Sequence, residues 1–373
     1  MLKKRIWAVM TVSLLLSGTL MHQLDAVGGS PVHLEPPRKA KNIVLMIGDG
    51  MGLAQVSTLF TYRSKEQVFK SFPVIGFQKT QSGDNLVTDS AAGATAMATG
   101  VKAPNHSIAL DSQGAVLKTI LEEAAEKGLS TGMVVTSSIV HATPAAFVAH
   151  STTRYHYEQI AEYFPKSKLD FFIGGGKKYF NRREKDDRNL IYELKKSGFA
   201  VYDYFHSNLY NVYPSPTKRF AFFTADNQPL PAMQQREYLP YASEIAIDYL
   251  KKRSDKGFFL MIEGSQIDWA CHSNQGKMLV SEMLDFEKAV AAVLKMAAQD
   301  GETLVIVTAD HTTGGLGLNK GETGDKVKLE FTTNGHTASM VPVFAFGPGA
   351  ELFRGVYENT EIYHKMRQCF GFE

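Results

Sequence analysis

The chain has 373 residues, 44% of them apolar and 21% charged, with a formal net charge of +2. That composition suits a globular protein with a large buried core, and the charge excludes a bulk nucleic-acid-binding surface. The excess charge sits in the first 25 residues (Lys3, Lys4, Arg5 and Asp25), so the rest is near neutral and any cationic site has to be local.

The first 26 residues carry a basic cap, an apolar run too short for a comfortable membrane span, and a closing small residue, Ala26. This is the pattern of a secretory signal peptide. No cysteine follows the run, so a lipid-modified N-terminus is not expected, and export to a periplasmic or extracellular space is. Residues 27–40, "VGGSPVHLEPPRKA", are rich in Gly and Pro and read as a linker. Residues 41–373 read as one domain, with no second segment apolar enough to span a bilayer. Cys271 and Cys369 are the only cysteines, and one distant pair makes no disulfide framework.

From residue 41 one theme repeats: a short apolar run, a turn, then a helical pattern. The runs are "NIVLMIGDG", "TGMVVTSSIVHATP", "FFIGGG", "GFFLMIEG", "TLVIVTADHTTGG" and "VPVFAFGPG". Amphipathic stretches lie between them, such as "YASEIAIDYLKKRS" and "KMLVSEMLDFEKAVAAVLKMAAQ". Strands without polar alternation are buried on both faces, which predicts an α/β fold with a mainly parallel central sheet covered by helices on both sides. Residues 177–240 lack this rhythm and read as an insertion or lid.

In such sheets ligands bind beyond the carboxyl ends of the strands. Polar residues cluster there: Asp49, then His141 and Thr143, then Glu263, then Asp310 and His311. His336 precedes the strand "VPVFAF". Asp268 and His272 stand four apart, so on a helix they share a face. Asp310 and His311 are adjacent, and both reach one ion only if the chain turns, which "TTGGLG" permits. Each pair also fits a plainer reading, a cap or a surface pair. Ser90 begins an Ala-rich helical stretch, where backbone amides favour an anion; it is either a nucleophile or an N-cap. Arg154 is either a two-oxygen phosphate clamp or a surface arginine. Asp89 either orients Arg154 or caps the helix. "GGGKKY" lacks the spacing of a phosphate loop, and His33, His106, His206 and His364 have no ligand context.

Together "IGDGMG", "TDSAAGATAMATG", "HATPAAFVAHSTTR", "IEGSQIDWACH", "TADHTTGG" and "NGHT", in this order, resemble the alkaline phosphatases. The resemblance implies hydrolysis of small phosphate monoesters to alcohol and phosphate. It implies Ser90 as the nucleophile of a phosphoserine intermediate and Arg154 on the phosphate oxygens. It implies one zinc ion on Asp268, His272 and His336, a second on Asp49, Asp310 and His311, and magnesium on Asp49, Thr143 and Glu263. Relatives of this kind are often homodimers. His141 and Trp269 stand where some bacterial relatives carry aspartate and lysine, and both bear on the magnesium site. The interval from His311 to His336 leaves no room for the extra domain that larger relatives insert there. Two other readings remain, a phosphodiesterase of the same superfamily and a non-catalytic exported protein that binds metal or phosphate. A sulfatase is excluded because "DSAAGA" lacks the Pro-Arg pattern after the nucleophile.

Overall fold

A computed structural model describes residues 38–62, 67–319, 321 and 327–372, so the expected leader (1–26) and most of the linker (27–40) lie outside the described residues. Strand β1 (Asn42–Gly48) shows why the fold forms. Its Ile43, Leu45 and Ile47 enter one hydrophobic core, while Val44 and Met46 enter another. Successive side chains on a strand point to opposite faces, so β1 needs an apolar layer on each side. Its sequence is accordingly apolar without alternation.

The other strands follow in chain order. They are β2 (Val74–Lys79), β3 (Ser130–Ser138), β4 (Phe171–Gly175), β5 (Phe199–Asp203), β6 (Arg219–Phe223) and β7 (Phe258–Gly264). Next come β8 (Thr303–Thr308), β9 (Thr312–Thr313), β10 (Leu316–Leu318), β11 (Leu329–Phe331), β12 (His336–Thr337), β13 (Val341–Phe346) and β14 (Gly355–Glu358). Ten of them form one sheet in the order β14-β2-β13-β8-β1-β7-β3-β4-β6-β5. All its strand pairs are parallel except those of β13, which runs antiparallel to both β8 and β2. The helices Ser90–Thr99, Ala142–Val148 and Thr360–Phe370 contribute to the first core, and Tyr238–Arg253 and Gly276–Asp300 to the second. The six apolar runs of the sequence all become strands of this sheet.

Residues 177–240, expected as an insertion or lid, in part complete the sheet instead. They supply β5 and β6, which pair in parallel and extend the sheet from β4 to its edge. An edge strand is covered less completely, so β5 carries partly exposed positions and reads as mixed sequence rather than as an apolar run. β2 is likewise masked, because its residues alternate between buried and exposed.

The end of that segment is tied down by a buried ion cluster. Arg236 Nη2 donates to Glu282 Oε2 at 2.5 Å and to Asp285 Oδ2 at 3.0 Å, and Glu282 Oε1 accepts from the Ala232 amide at 2.7 Å. Burial pushes the Asp285 carboxyl up to about 6, against the pull of Arg236. Removing one partner of such a cluster strands the other charges. Arg236→Met should therefore cost roughly 3–5 kcal/mol of stability near neutral pH, read as a lower urea midpoint. A carboxyl raised in the folded state stabilises the protonated fold, so the deficit should shrink as pH falls from 7 towards 4.

Candidate active site

Strands β8, β1, β7 and β3 lie side by side, and their carboxyl ends deliver most of the site. Asp49 directly follows β1. Glu263 is the penultimate residue of β7, and the helix Gln266–His272 that follows carries Asp268 and His272. Asp310 and His311 follow β8. β12 returns antiparallel to β9, pairing His336 with Thr313, and this places the imidazole of His336 beside the others. Thr143 lies in the first turn of the helix Ala142–Val148, after β3.

Every predicted site residue comes to this one place. His272 Nε2 lies 3.2 Å from Asp268 Oδ2 and 3.1 Å from His336 Nε2, and His336 Nε2 is 3.6 Å from Asp268 Oδ1. His311 Nε2 is 3.1 Å from Asp310 Oδ2 and 3.5 Å from Asp49 Oδ1. Ligand atoms of Asp268, His311 and His336 fall within 4.8 Å of one another, and so do those of Asp49, Asp310 and His311. Asp310 and His311 do serve one place, because the chain bends at Asp310, between the end of β8 and the start of β9. Gly50, at φ +68°, lets the segments close up: a Cβ there would sit 2.6 Å from Thr313 Oγ1 and 3.0 Å from Asp268 Oδ1.

The electrostatics are those of a buried negative pocket. Asp49, Glu263, Asp268 and Asp310 are all buried. Burial, then the charges of Asp310, Asp268 and Glu263, push the Asp49 carboxyl well up. Burial raises Glu263 to about 7 even though the hydroxyls of Ser265 and Ser137 donate to its Oε2. Burial also works against ionised Asp268, but His272, His311 and His336 outweigh it and hold that carboxyl well below its usual range. Both carboxylate oxygens of Asp49, Oε1 of Glu263 and Oδ2 of Asp310 have no hydrogen-bond donor. Buried carboxylate oxygens without donors are costly unless a cation meets them. The donor set of carboxylates, imidazoles and a hydroxyl is the set that zinc and magnesium accept, so these residues fit metal ions.

Ser90 opens the helix Ser90–Thr99, and its Oγ lies 3.2 Å from His311 Nε2. Gly93, one turn on, allows the approach: a Cβ there would meet the Asp310 carbonyl oxygen at 3.0 Å. Asp89, not Ser90, is the N-cap, with Oδ1 accepting from the Ala92 amide at 3.0 Å. Its Oδ2 accepts from Arg154 Nη1 at 2.9 Å. The two readings of Asp89 are thus both realised, one on each oxygen. Arg154 is no surface arginine; its side chain is 13% exposed, and its charge acts on Asp49, His141 and His272.

His141 packs edge-on against Trp269, ring centroids 5.7 Å apart. Burial, and then Arg154, push its imidazolium down to about 3, so the ring is neutral. Cys271 is buried and free, its thiol raised by burial to about 12, and Cys369 is also free. Two supporting residues escaped the sequence reading. Thr313 donates to Asp268 Oδ1 at 2.5 Å, and the Thr313 carbonyl accepts from Gln55 Nε2 at 2.8 Å. His106, discounted earlier, has its Nδ1 3.2 Å from Asp89 Oδ2.

The family model described as alkaline phosphatase matches residues 40–326 and 319–371. Alkaline phosphatase 4 of Bacillus subtilis is 31% identical, over 96% of this chain and 95% of that protein. Alkaline phosphatase 3 of the same organism is 36% identical, over 86% of this chain and 87% of that protein. The solved alkaline phosphatase of the Antarctic bacterium TAB5 aligns with a TM-score of 0.85 at 40% identity, covering 90% of this chain and 99% of that one. A variant of the TAB5 enzyme, with a histidine replaced by glutamate, holds magnesium in a site called M3.

If the pocket is built for cations, metal removal should destabilise the fold. Chelation should lower the thermal midpoint, and added zinc should restore it. Asp49→Ala should reduce bound metal, counted by elemental analysis, by more than one ion, because Asp49 has two unpaired oxygens in the middle of the set. An Asp49→Ala protein with an unchanged metal content would refute this grouping.

Proposed function

The chain belongs to the alkaline phosphatase family, and from that premise we propose how its residues divide the work. The reaction is hydrolysis of a phosphate monoester to an alcohol and inorganic phosphate. In our reading the phosphoryl group lies over the N-terminus of the helix Ser90–Thr99. Arg154 holds two of its non-bridging oxygens with a planar pair of donors. Asp89 holds Arg154 in turn, so the guanidinium is aimed before substrate arrives.

Ser90 Oγ then attacks phosphorus in line with the ester oxygen. The P–O bond to the alcohol breaks, the alcohol leaves with the electron pair and takes up a proton, and a phosphoserine remains on Ser90. A water molecule attacks the phosphoserine from the opposite side and releases phosphate and the free serine. Metal ions are the family's cofactors. We assign zinc to Asp268, His272 and His336, a second zinc to Asp49, Asp310 and His311, and magnesium to Asp49, Thr143 and Glu263. When bound, such ions supply Lewis acidity and lower the pKa of coordinated hydroxyl groups. The chain itself supplies position and a dry, low-dielectric surround.

The observation that carries this reading is the meeting of Ser90, at a helix N-terminus and 3.2 Å from His311 Nε2, with an arginine pre-oriented by the adjacent Asp89. A nucleophile and a phosphate clamp anchored on neighbouring residues suit a doubly charged monoester end. We also propose export through the N-terminal leader and a homodimeric assembly. Among the described residues no helix is long and apolar enough to cross a membrane.

Ser90→Ala should lose roughly 10³-fold or more in kcat, the scale seen when a nucleophile is removed. It should also yield no acid-stable phosphoserine on quenching with a labelled monoester. A serine-linked phosphate that survives in Ser90→Ala would sink the assignment. An aryl monoester should turn over much faster than the matching diester, and metal analysis of the active protein should return two zincs.

A further inference from the structure

The four residues Pro104–Ser107 form a tight turn, closed by the Ser107 amide donating to the Pro104 carbonyl at 3.1 Å. His106, the third of them, has φ +70°, whereas Asn105 is not in the left-handed region. This is the pattern of a type II turn, whose third position favours Gly or Asn. A histidine there carries backbone strain, and strain of this kind persists where the surroundings demand that residue.

The surroundings of His106 are the phosphate clamp. Its backbone amide donates to Asp89 Oδ1 at 3.1 Å. Its ring Nδ1 lies 3.2 Å from Asp89 Oδ2, the same oxygen that accepts from Arg154 Nη1. Its carbonyl accepts from the backbone amide of Arg154 at 2.8 Å. The ring is bracketed on another side by Tyr155, with centroids 5.5 Å apart. One residue therefore touches both members of the Asp89–Arg154 pair. We infer that His106 is a positioning residue that sets the aim of Arg154, and with it the affinity for the phosphoryl group. The inference rests on reading Arg154 as the phosphate clamp.

The physical role of the ring is to complete the Asp89 carboxylate. With His106 in place that group has four contacts: Ala92 and His106 amides on Oδ1, Arg154 and the His106 ring on Oδ2. Asp89 is ionised, its carboxyl held below the usual range because Arg154 and the two backbone amides outweigh burial. Without the ring, Oδ2 keeps Arg154 alone and the carboxylate can rotate. The His106 side chain is 52% exposed, so water competes for its contact and the effect should be several-fold rather than complete.

Two substitutions separate positioning from folding. His106→Gly suits the turn and removes only the ring. Its urea midpoint should be equal to or higher than that of the parent protein, because glycine relieves the strain. With an aryl phosphate monoester its KM, and the Ki for inorganic phosphate, should both rise about five-fold. Its kcat should stay within about two-fold. His106→Asn tolerates the left-handed backbone and can donate an amide hydrogen to Asp89, so it should recover most of the lost affinity. Adding His106→Gly to Arg154→Ala should weaken phosphate no further than Arg154→Ala does alone. The idea is overturned if His106→Gly leaves KM and Ki unchanged while Arg154→Ala weakens both. It is also overturned if activity falls only in step with stability. If Arg154→Ala itself leaves phosphate affinity unchanged, the clamp reading fails instead.

Discussion

Four carboxylates buried together at the end of a sheet repel one another, and everything else at this site answers that repulsion. Asp49, Glu263, Asp268 and Asp310 leave water, where each charge is well solvated, for a pocket where it is not. Left alone, the segments would swing apart or the acids would take up protons. The sheet prevents the first outcome, because β1 is paired on both sides by β7 and β8 and cannot move without breaking both ladders. Apolar burial on two faces thus holds a charge arrangement that opposes itself. The second outcome is opposed by Arg154 and, before metal binds, by the raised imidazoles of His272 and His311; metal ions on those imidazoles would take over that role. Divalent metal ions in such a pocket would relieve a repulsion that already exists.

The residues that bear on this balance could be read from the sequence to differing degrees. Asp49, Glu263 and Asp310 stand at the ends of apolar runs, and a parallel sheet gathers such ends at one edge. Asp268 and His272 were legible from their spacing of four, and that stretch is a helix. His336 was legible as a polar residue beside the strand "VPVFAF", but its place as a ligand came only with the family resemblance, because it arrives on a two-residue antiparallel ladder that no periodicity announces. Thr313, Gln55 and His106 were not legible. Their roles depend on contacts across 45, 258 and 17 residues, made by side chains that are common in turns and helices for other reasons.

The fold divides in the same way. Central strands are covered on both faces and spell themselves out as unbroken apolar runs. The outer strands β14, β2 and β5 are covered unevenly, and their sequences carry charges, glycine and exposed side chains that conceal them. That is why residues 177–240 read as an insertion when part of them completes the sheet. The antiparallel direction of β13 was also hidden, since an apolar run has no sense of direction.

The place of β1 in the sheet also governs when the protein can fold. β1 is the first strand to leave the ribosome, yet its two neighbours are residues 258–264 and 303–308. The central strand has no partner until residue 264 of 373 has been made and lacks its second until residue 308, and pairings this distant in sequence close slowly. Synthesis order and folding order are therefore opposed. Under the proposed export such a delay would be useful: the polypeptide would stay threadable while it is being moved, and Asp49 would meet Asp310 only after both have arrived. The unpaired β1 run is an aggregation hazard over the same interval.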